Sequence, residues 1–496
     1  MKPLALRPVL LPLIAVAAIH VTSVKCQEPG NLPDTPPGRR LAELIATLNS
    51  GDYDSIRTYA EGNFSDEYIA GELDAKIDAL MRMYAQSQEL TFVRVLSSSR
   101  ERVIAEVGNR LAEMNQAFGV SVERREPHRI TMWYRGPAYL YRELEGTPPR
   151  DEREIVTAID SFIERLAAAD VFSGTVLIGK GDSILLHRAV GLAHRDPDIA
   201  NGVDTRFNIA SVGKLFTSVA IAQLAEQGSL SYRDPIDRYL GPDWLAPDVA
   251  SEIRIENLLT HRSGLGDFLE SEALLHAAAP PRSLDDYRPI IRAEQPQFRP
   301  GTQFQYSNSG FILLGAIVER VSGQTFRDYF RRHVFAPAGI VGLSEPPRDS
   351  TALAAPAFAT GYTSHYSAAG RTWSDNTARL SAVAPSPAGG QYASAEDLWR
   401  FAMALRAGVL VSDSTWSSLA APAPVRGGPP TGYGFEIRDH GLERVVGHGG
   451  SHEGISAVLD IYLHSGYTLV VLSNSDRSAF AVREKFATLV MVPSRS

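Results

Sequence analysis

Apolar and polar positions follow two rhythms along the chain, and the places where one gives way to the other mark out its elements. Leu41, Leu44, Ile45 and Leu48 recur at helical spacing, and Gly51 stops the run. A second helical stretch lies near residues 56–59. A third, near residues 73–84, carries Ile77, Leu80, Met81 and Tyr84. Strand-like segments follow at residues 90–96, 103–107, 120–123 and 130–134. Helices first and an antiparallel sheet after predict a small α+β unit over residues 39–146.

Gly146, Pro148 and Pro149 mark a linker, placed at residues 147–152. Beyond it, Ile155, Ala158, Ile159, Phe162, Ile163 and Leu166 line one face of an amphipathic helix. Residues 176–178 and 183–190 flank the turn Gly179-Lys180-Gly181-Asp182 and predict a β-hairpin. Residues 456–463 and 468–473 predict a second hairpin around Ser465-Gly466, followed by a closing helix over about residues 479–490. Strands at both ends, each beside a helix, predict one antiparallel sheet built from the two termini. The helical and loop-rich middle forms a second lobe. The expected fold class is α+β, with this larger domain covering residues 153–492.

Composition narrows the functional classes. The formal net charge of -8 offers no basic stripe for nucleic acid, so no nucleic-acid partner is expected. Cys26 is the only cysteine, which excludes an internal disulfide and a cysteine-based metal cluster. Lys2 and Arg7 precede an apolar run over residues 9–21, and small and polar residues follow it. Residues 1–26 therefore read as a secretory signal peptide, cleaved between Ser23 and Gln27, ahead of a disordered Pro/Gly-rich leader over residues 27–38. The run is short for a span and carries Pro12 and His20, so the mature chain is expected to hold no membrane span. Lys25 stands where a lipoprotein signal has a small residue, which argues against lipidation at Cys26. The expectation is export, to the periplasm or beyond the cell.

Candidate chemistry begins at Ser211. A short apolar run over residues 207–210 leads into a helical pattern, with Leu215, Val219, Ala222 and Leu224 as its stripe and Gly228 as its stop. That places Ser211 at a helix N-terminus and Lys214 about one turn later on the same side. A serine hydroxyl becomes a nucleophile when a neighbouring base removes its proton, and a desolvated lysine can be that base. The free N–H groups of a helix N-terminus favour developing negative charge. Taken alone, these letters also fit a capped helix with a surface lysine. Gly213-Lys214 lacks the earlier Gly and the following Ser/Thr of a phosphate-binding loop, and no G-x-S-x-G elbow surrounds Ser211.

Two further stretches supply company. Residues 300–310 read as a turn, a short aromatic strand ending at Tyr306, a polar break, and a helix from Phe311. A tyrosine phenol held beside Lys214 would lose its proton more easily and serve as general base on Ser211. Asn308 would hold Lys214 and donate to a substrate carbonyl. Alone, Tyr306 equally suits a core tyrosine and Asn308 a helix cap. The other stretch, residues 445–454, contains His448, Gly449, Gly450 and Ser451 on or beside a sheet edge, where glycines admit another backbone. A metal site through His448, His452 and Glu453 would need a shared helical face, which the glycines forbid, so no metal is expected.

Ser211-Val212-Gly213-Lys214, Tyr306-Ser307-Asn308 and His448-Gly449-Gly450 stand in the order and rough separation of the class C β-lactamase-like serine hydrolases, and the chain resembles that family over about residues 153–492. The family includes class C β-lactamases, D-Ala-D-Ala carboxypeptidases, D-aminopeptidases and β-lactamase-fold esterases. Residues 258–265 resemble its LLTHTSGL stretch, with Arg262 in place of Thr, and residues 388–398 resemble its AGG…S/T-x-x-DL element. The resemblance implies a β-lactamase/transpeptidase-like fold with no cofactor and a small-molecule or peptide substrate. It further implies Ser211 as acylated nucleophile, Lys214 and Tyr306 as managers of its proton, and the N–H groups of Ser211 and Ser451 as oxyanion hole. Asn308, His448, Gly449 and Gly450 fall on its substrate-binding positions.

One departure bears on the substrate. Class C β-lactamases carry Lys-Thr-Gly where this chain has His448-Gly449-Gly450. Histidine is only partly charged near neutral pH, and Gly449 lacks the threonine hydroxyl that would bind a substrate carboxylate. Ester or D-peptide hydrolysis is therefore expected over strong β-lactamase activity. The alternative is a catalytically silent cell-wall-peptide-binding or scaffold protein of the same fold, a role with no need for Lys214 and Tyr306 together. By element order alone, the first unit resembles nuclear-transport-factor-like modules and is expected to serve packing, dimerisation or substrate approach.

Overall fold

The computed structural model describes residues 31–138, 151–271, 281–340, 357–376, 385–423, 429–440 and 442–491, together with Leu274. The segment expected to be a signal peptide and most of the expected linker lie outside the described residues. Helix α1 (Pro36–Ser50) begins where Thr35 accepts the Gly38 N–H and Pro36 presets a helical φ, and it ends at Gly51 with φ 64°. The helix thus starts inside the stretch expected to be a disordered leader, because a threonine cap and a first-turn proline nucleate it. Leu32 packs against the same core. Helices α2 (Tyr53–Asn63) and α3 (Leu73–Ser87) follow. The chain then runs through β1 (Leu90–Ser98), β2 (Arg102–Asn109), β3 (Met114–Val122) and β4 (Ile130–Pro137), an antiparallel meander in sequence order. Leu41, Leu44 and Leu48 of α1 meet Ile77 and Leu80 of α3 and Val103, Phe118 and Val120 of the sheet in one core.

The larger unit opens with α4 (Glu152–Ala168), capped by Asp151, and the hairpin β5 (Gly174–Lys180) and β6 (Ser183–Val190). Its middle contains α5 (Lys214–Glu226), α6 (Asn308–Ser322), a small hairpin of β7 (Tyr362–Ser367) with β8 (Gly370–Asp375), and α7 (Ala395–Arg406). Strands β9 (Glu436–His440), β10 (Glu443–His452), β11 (Ile455–Tyr462) and β12 (Tyr467–Ser473) come next, and α8 (Ser478–Val490) closes the unit. The sheet order is β9-β10-β11-β12-β5-β6, so β12 pairs with β5 and the two ends of the domain share one antiparallel sheet.

Strand alternation divides the sheet's two faces. Val176, Ile178, Val458, Leu469 and Val471 face α4 and α8, whereas Leu177, Leu459, Val470 and Leu472 face the lobe built on α5 and α6. The first unit docks on the α4–α8 side. Leu111, Ala112 and Met114 enter that core, and Lys485 Nζ donates to the carbonyls of Ala112 and Glu113, each at 2.9 Å.

Phe486 of α8 is fully buried, with its ring edge-on to Tyr462 and Tyr467 at 5.3 and 5.7 Å. Phe486→Ala leaves a cavity that these rings cannot fill. It is expected to destabilise the domain by about 3–5 kcal/mol, read as a lower urea midpoint.

Candidate active site

Ser211 does not begin the helix itself. It lies in a tight 3₁₀ turn, Ala210–Gly213, that feeds α5. Ala210 has φ 45°, a strained left-handed conformation for a residue with a Cβ, of the kind that costs about 1–3 kcal/mol. Asn208 Oδ1 holds it there by accepting the Ala210 N–H at 2.9 Å. From the other side, Gly390 N–H donates to Ala210 O at 3.1 Å. Gly389, at φ 131°, has no room for a side chain, since a Cβ would lie 2.1 Å from that same oxygen. The Ala388-Gly389-Gly390 stretch therefore clamps the turn that carries Ser211.

Helix α5 is buried on all sides from Lys214 to Leu224, not along one stripe, so Lys214 begins a helix in the middle of the lobe. Its side chain is 0% exposed. Nζ reaches Asn308 Oδ1 at 2.6 Å, Ala388 O at 2.7 Å and Ser211 Oγ at 3.2 Å. Burial disfavours the ammonium and lowers the pKa to about 7, with the negative charge of Asp267 opposing the shift.

No strand precedes the second stretch. Residues 304–307 run in irregular backbone, and α6 starts at Asn308, with Ser307 as cap accepting the Gly310 N–H at 3.0 Å. Residues 258–265 organise this segment instead. His261 takes φ 56°, and its Nδ1 accepts the Ser307 N–H at 3.1 Å. Its ring stacks on Tyr306 at 4.3 Å, and its carbonyl accepts Gln305 N–H at 2.9 Å. Arg262, the departure from the family stretch, is buried and donates to Thr260 O at 2.8 Å and Thr431 Oγ1 at 3.1 Å. It therefore acts as a clamp between loops.

Tyr306 is hydrogen-bonded to Ser211, and Lys214 Nζ sits 4.9 Å from its ring centre. Burial pushes the phenol well above its usual value, and the bond to Ser211 offsets only part of this. The expectation that Tyr306 would deprotonate easily is corrected: desolvation favours the neutral form of both groups, so the phenol keeps its proton while the lysine becomes the free base.

Asn308 uses both ends of its amide. Oδ1 accepts from Lys214, and Nδ2 donates to Asp267 Oδ2 at 2.6 Å. Asp267 belongs to none of the motifs singled out in the sequence. The available signal was its place two residues after the 258–265 stretch.

Strand β10 completes the cluster from the sheet side. His448 and Gly450 face Ser211, and a Cβ at 450 would come within 2.7 Å of Ser211 N. Ser451 follows, paired with Ser456 of β11. The His448 ring lies 6.5 Å from that of Tyr306, and Nδ1–H donates to Gly449 O at 2.5 Å. Burial holds the imidazole below its ordinary pKa, with Glu436, 3.8 Å away, opposing. Gly449 points elsewhere. Alternation turns a Cβ at 449 toward Phe480 and Arg483 of α8, so the missing side chain lies on the α8 face of the sheet and not beside Ser211. Arg483 there is held by buried Asp460, at 2.7 and 2.9 Å, and by Glu436 at 3.1 Å.

A family model described as Beta-lactamase matches residues 159–490. The chain belongs to the beta-lactamase family. Its members are serine hydrolases, and the beta-lactamase/transpeptidase-like fold is shared with solved relatives. Penicillin-binding protein 4* of Bacillus subtilis (strain 168) is 28% identical over 328 residues, covering 64% of this chain and 71% of that one. The structure of a penicillin binding protein from Bacillus halodurans is 31% identical, covers 69% of this chain and 100% of its own, and superposes with a TM-score of 0.57. D-amino acid amidase from Ochrobactrum anthropi SV3, complexed with L-phenylalanine amide, shares the fold at 22% identity and TM-score 0.56, covering 69% and 99% of the two chains. Among the described residues of this family member, no helix is long and apolar enough to cross a membrane.

The contact of Gly450 with Ser211 gives a direct test. Gly450→Ala must push the Ser211 turn and β10 apart, and a displacement of this kind costs on the order of a hundredfold in kcat. The melting temperature should fall by only a few degrees. Unchanged turnover would show that β10 does not set the position of Ser211.

Proposed function

We propose that this protein is an exported serine hydrolase that works through an acyl-enzyme on Ser211, with an ester or a D-amino-acid-containing amide or peptide as substrate. One observation carries the reading: a buried lysine nitrogen, near neutrality at about pH 7, faces the Ser211 hydroxyl at 3.2 Å. A neutral amine has two N–H groups and one lone pair. Asn308 Oδ1 and Ala388 O, the two short contacts, take the N–H groups and leave the lone pair for Ser211 Oγ–H.

Lys214 takes the hydroxyl proton as Oγ bonds to the substrate carbonyl carbon. The carbonyl oxygen becomes an oxyanion between the backbone N–H groups of Ser211 and Ser451. Collapse breaks the bond to the alcohol or amine. The leaving atom receives its proton from Tyr306 O–H, which Lys214 restores; a phenol held above its usual pKa suits a relay better than a resting base. Water then attacks the acyl carbonyl with Lys214 again as base, and the acid and free Ser211 are released.

His448 bears on the substrate. With Nδ1–H turned to Gly449 O and its pKa lowered by burial, the neutral ring offers Nε2 as an acceptor and no fixed positive charge. That favours a neutral ester or amide over a carboxylate-bearing β-lactam. The apolar run after Lys2 and Arg7 supports export, checked by N-terminal sequencing of the secreted protein for a start between Ser23 and Gln27.

Intact-mass analysis after fluorophosphonate treatment should show one adduct on Ser211. Ser211→Ala should lose the adduct and at least about a thousandfold in turnover with the fold intact. Unchanged activity in that variant would refute the assignment, and saturable cell-wall-peptide binding without turnover would favour the silent binding protein.

Two pH dependences follow. The ammonium form of Lys214 has no lone pair, so kcat/KM should fall as pH drops below about 7. His448 gains charge only below its lowered pKa, so KM for a carboxylate-bearing substrate should decrease only as pH falls below the ordinary imidazole range, while that for a neutral ester stays flat. Parallel KM profiles for the two substrates would remove His448 from carboxylate recognition.

A further inference from the structure

Asp267 has no part in the steps above, yet only the Asn308 amide separates it from Lys214. Its Oδ2 accepts from Asn308 Nδ2 at 2.6 Å and its Oδ1 from the Leu269 N–H at 3.0 Å. Donors on both oxygens fit an ionised carboxylate. The neighbouring Gly266 is pinned in turn, its N–H donating to Glu294 Oε2 at 2.9 Å and its carbonyl accepting from Ser307 Oγ at 2.7 Å.

This arrangement resolves an ambiguity in the amide. Asn308 could present either Oδ1 or Nδ2 to Lys214, and Nδ2 would oppose the lysine N–H groups donor to donor. An ionised carboxylate has no proton to give, so it accepts from Nδ2 alone and forces Oδ1 toward Lys214. The short Lys214–Asn308 bond of 2.6 Å then fixes the direction in which the lysine meets Ser211.

We propose that Asp267 is a positioning residue for acylation: it orients the Asn308 amide so that Oδ1 faces Lys214, and it holds a negative charge one amide away from that nitrogen. This rests on the Ser211 acyl-enzyme reading. The charge has a readable effect, because Asp267 is the group that opposes the desolvation of Lys214. Burial raises the pKa of Asp267 itself, with Lys214 and His452 opposing. The other titratable groups in electrostatic reach of the pair are Tyr306, Glu270, Glu294, His261 and His448. The last two are held toward neutrality by burial.

The test is the rate of fluorophosphonate labelling at Ser211, followed by intact mass between about pH 5 and 9, for the full chain and for Asp267→Asn and Asp267→Glu. Melting temperatures are measured alongside. Asp267→Asn removes the anion, so the plateau rate should fall roughly ten- to a hundredfold, and the acid limb should move to lower pH by about half a unit or more. Asp267→Glu keeps the charge, so its limb should stay at the wild-type position while its plateau falls. An Asp267→Asn limb that coincides with wild type overturns the assignment whatever its plateau, since lost packing alone lowers the rate without moving the limb. If Asp267→Asn does not fold, Asp267→Glu decides, and a limb displaced with the charge retained overturns it. No adduct on wild-type Ser211 would overturn the acyl-enzyme reading and this role together, whereas an adduct with an unmoved limb overturns only the role of Asp267.

Discussion

A lysine amine with no access to water is the constraint around which this site is built. Removing an ammonium from water is so costly that the group either pairs or gives up its charge. Lys214 is fully buried, and its acceptors come from parts of the chain far from it in sequence: Asn308 at the start of α6 and Ala388 in the segment before α7. Neither contact is local, so the tertiary structure must form before the nitrogen is satisfied. The strained Ala210, the side-chain-free contact at Gly389 and the inward face of Gly450 all hold the Ser211 turn at the distance this nitrogen requires.

The sheet contributes rigidity and one chemical choice. β10 is an inner strand, and its alternation gives adjacent residues different work. His448 and Gly450 meet the Ser211 turn, while Gly449 admits Phe480 and Arg483 from α8. Behind it, Asp460 and Glu436 anchor Arg483, so the third motif rests on an ion network centred on the buried Asp460. Such a network is weak evidence for stability, but it opposes sliding of β10 against α8. The strand that faces Ser211 therefore stands on a stiff support.

Much of this was readable from residue order. Both hairpins, α4 and α8 follow from hydrophobic period and Gly/Asp turns, and the ends of the domain meet in one sheet as their patterns required. The three motifs identified six side chains or backbone positions that converge: Ser211, Lys214, Tyr306, Asn308, His448 and Gly450. What escaped depends on phase or on distance. The irregular path through Tyr306 looked like a strand because its residues suit one, but His261, held far from it in sequence, sets its backbone. The face of Gly449 depends on strand phase, which a run of glycines does not reveal. Asp267 escaped because its partner lies 41 positions away and a lone aspartate in a loop has no signature. The direction of the Tyr306 shift escaped because desolvation belongs to the folded surroundings and not to the letters.

The first unit shows where likeness of motif ends and physics must take over. It carries no part of the cluster at Ser211, yet it is not tethered loosely. Its β2–β3 corner enters the core between α4 and α8, Lys485 caps that corner's carbonyls, and Arg82 of α3 donates to Ser364 O on β7 at 3.0 Å. Asp78 adds a bond to Tyr366 N–H at 2.9 Å. The same β7 leads to Thr363, whose hydroxyl binds Asp476, and Asp476 in turn accepts the N–H of Gly454 at 2.6 Å, just past β10. A continuous chain of hydrogen bonds thus joins the first unit to the turn that follows His448, Gly450 and Ser451.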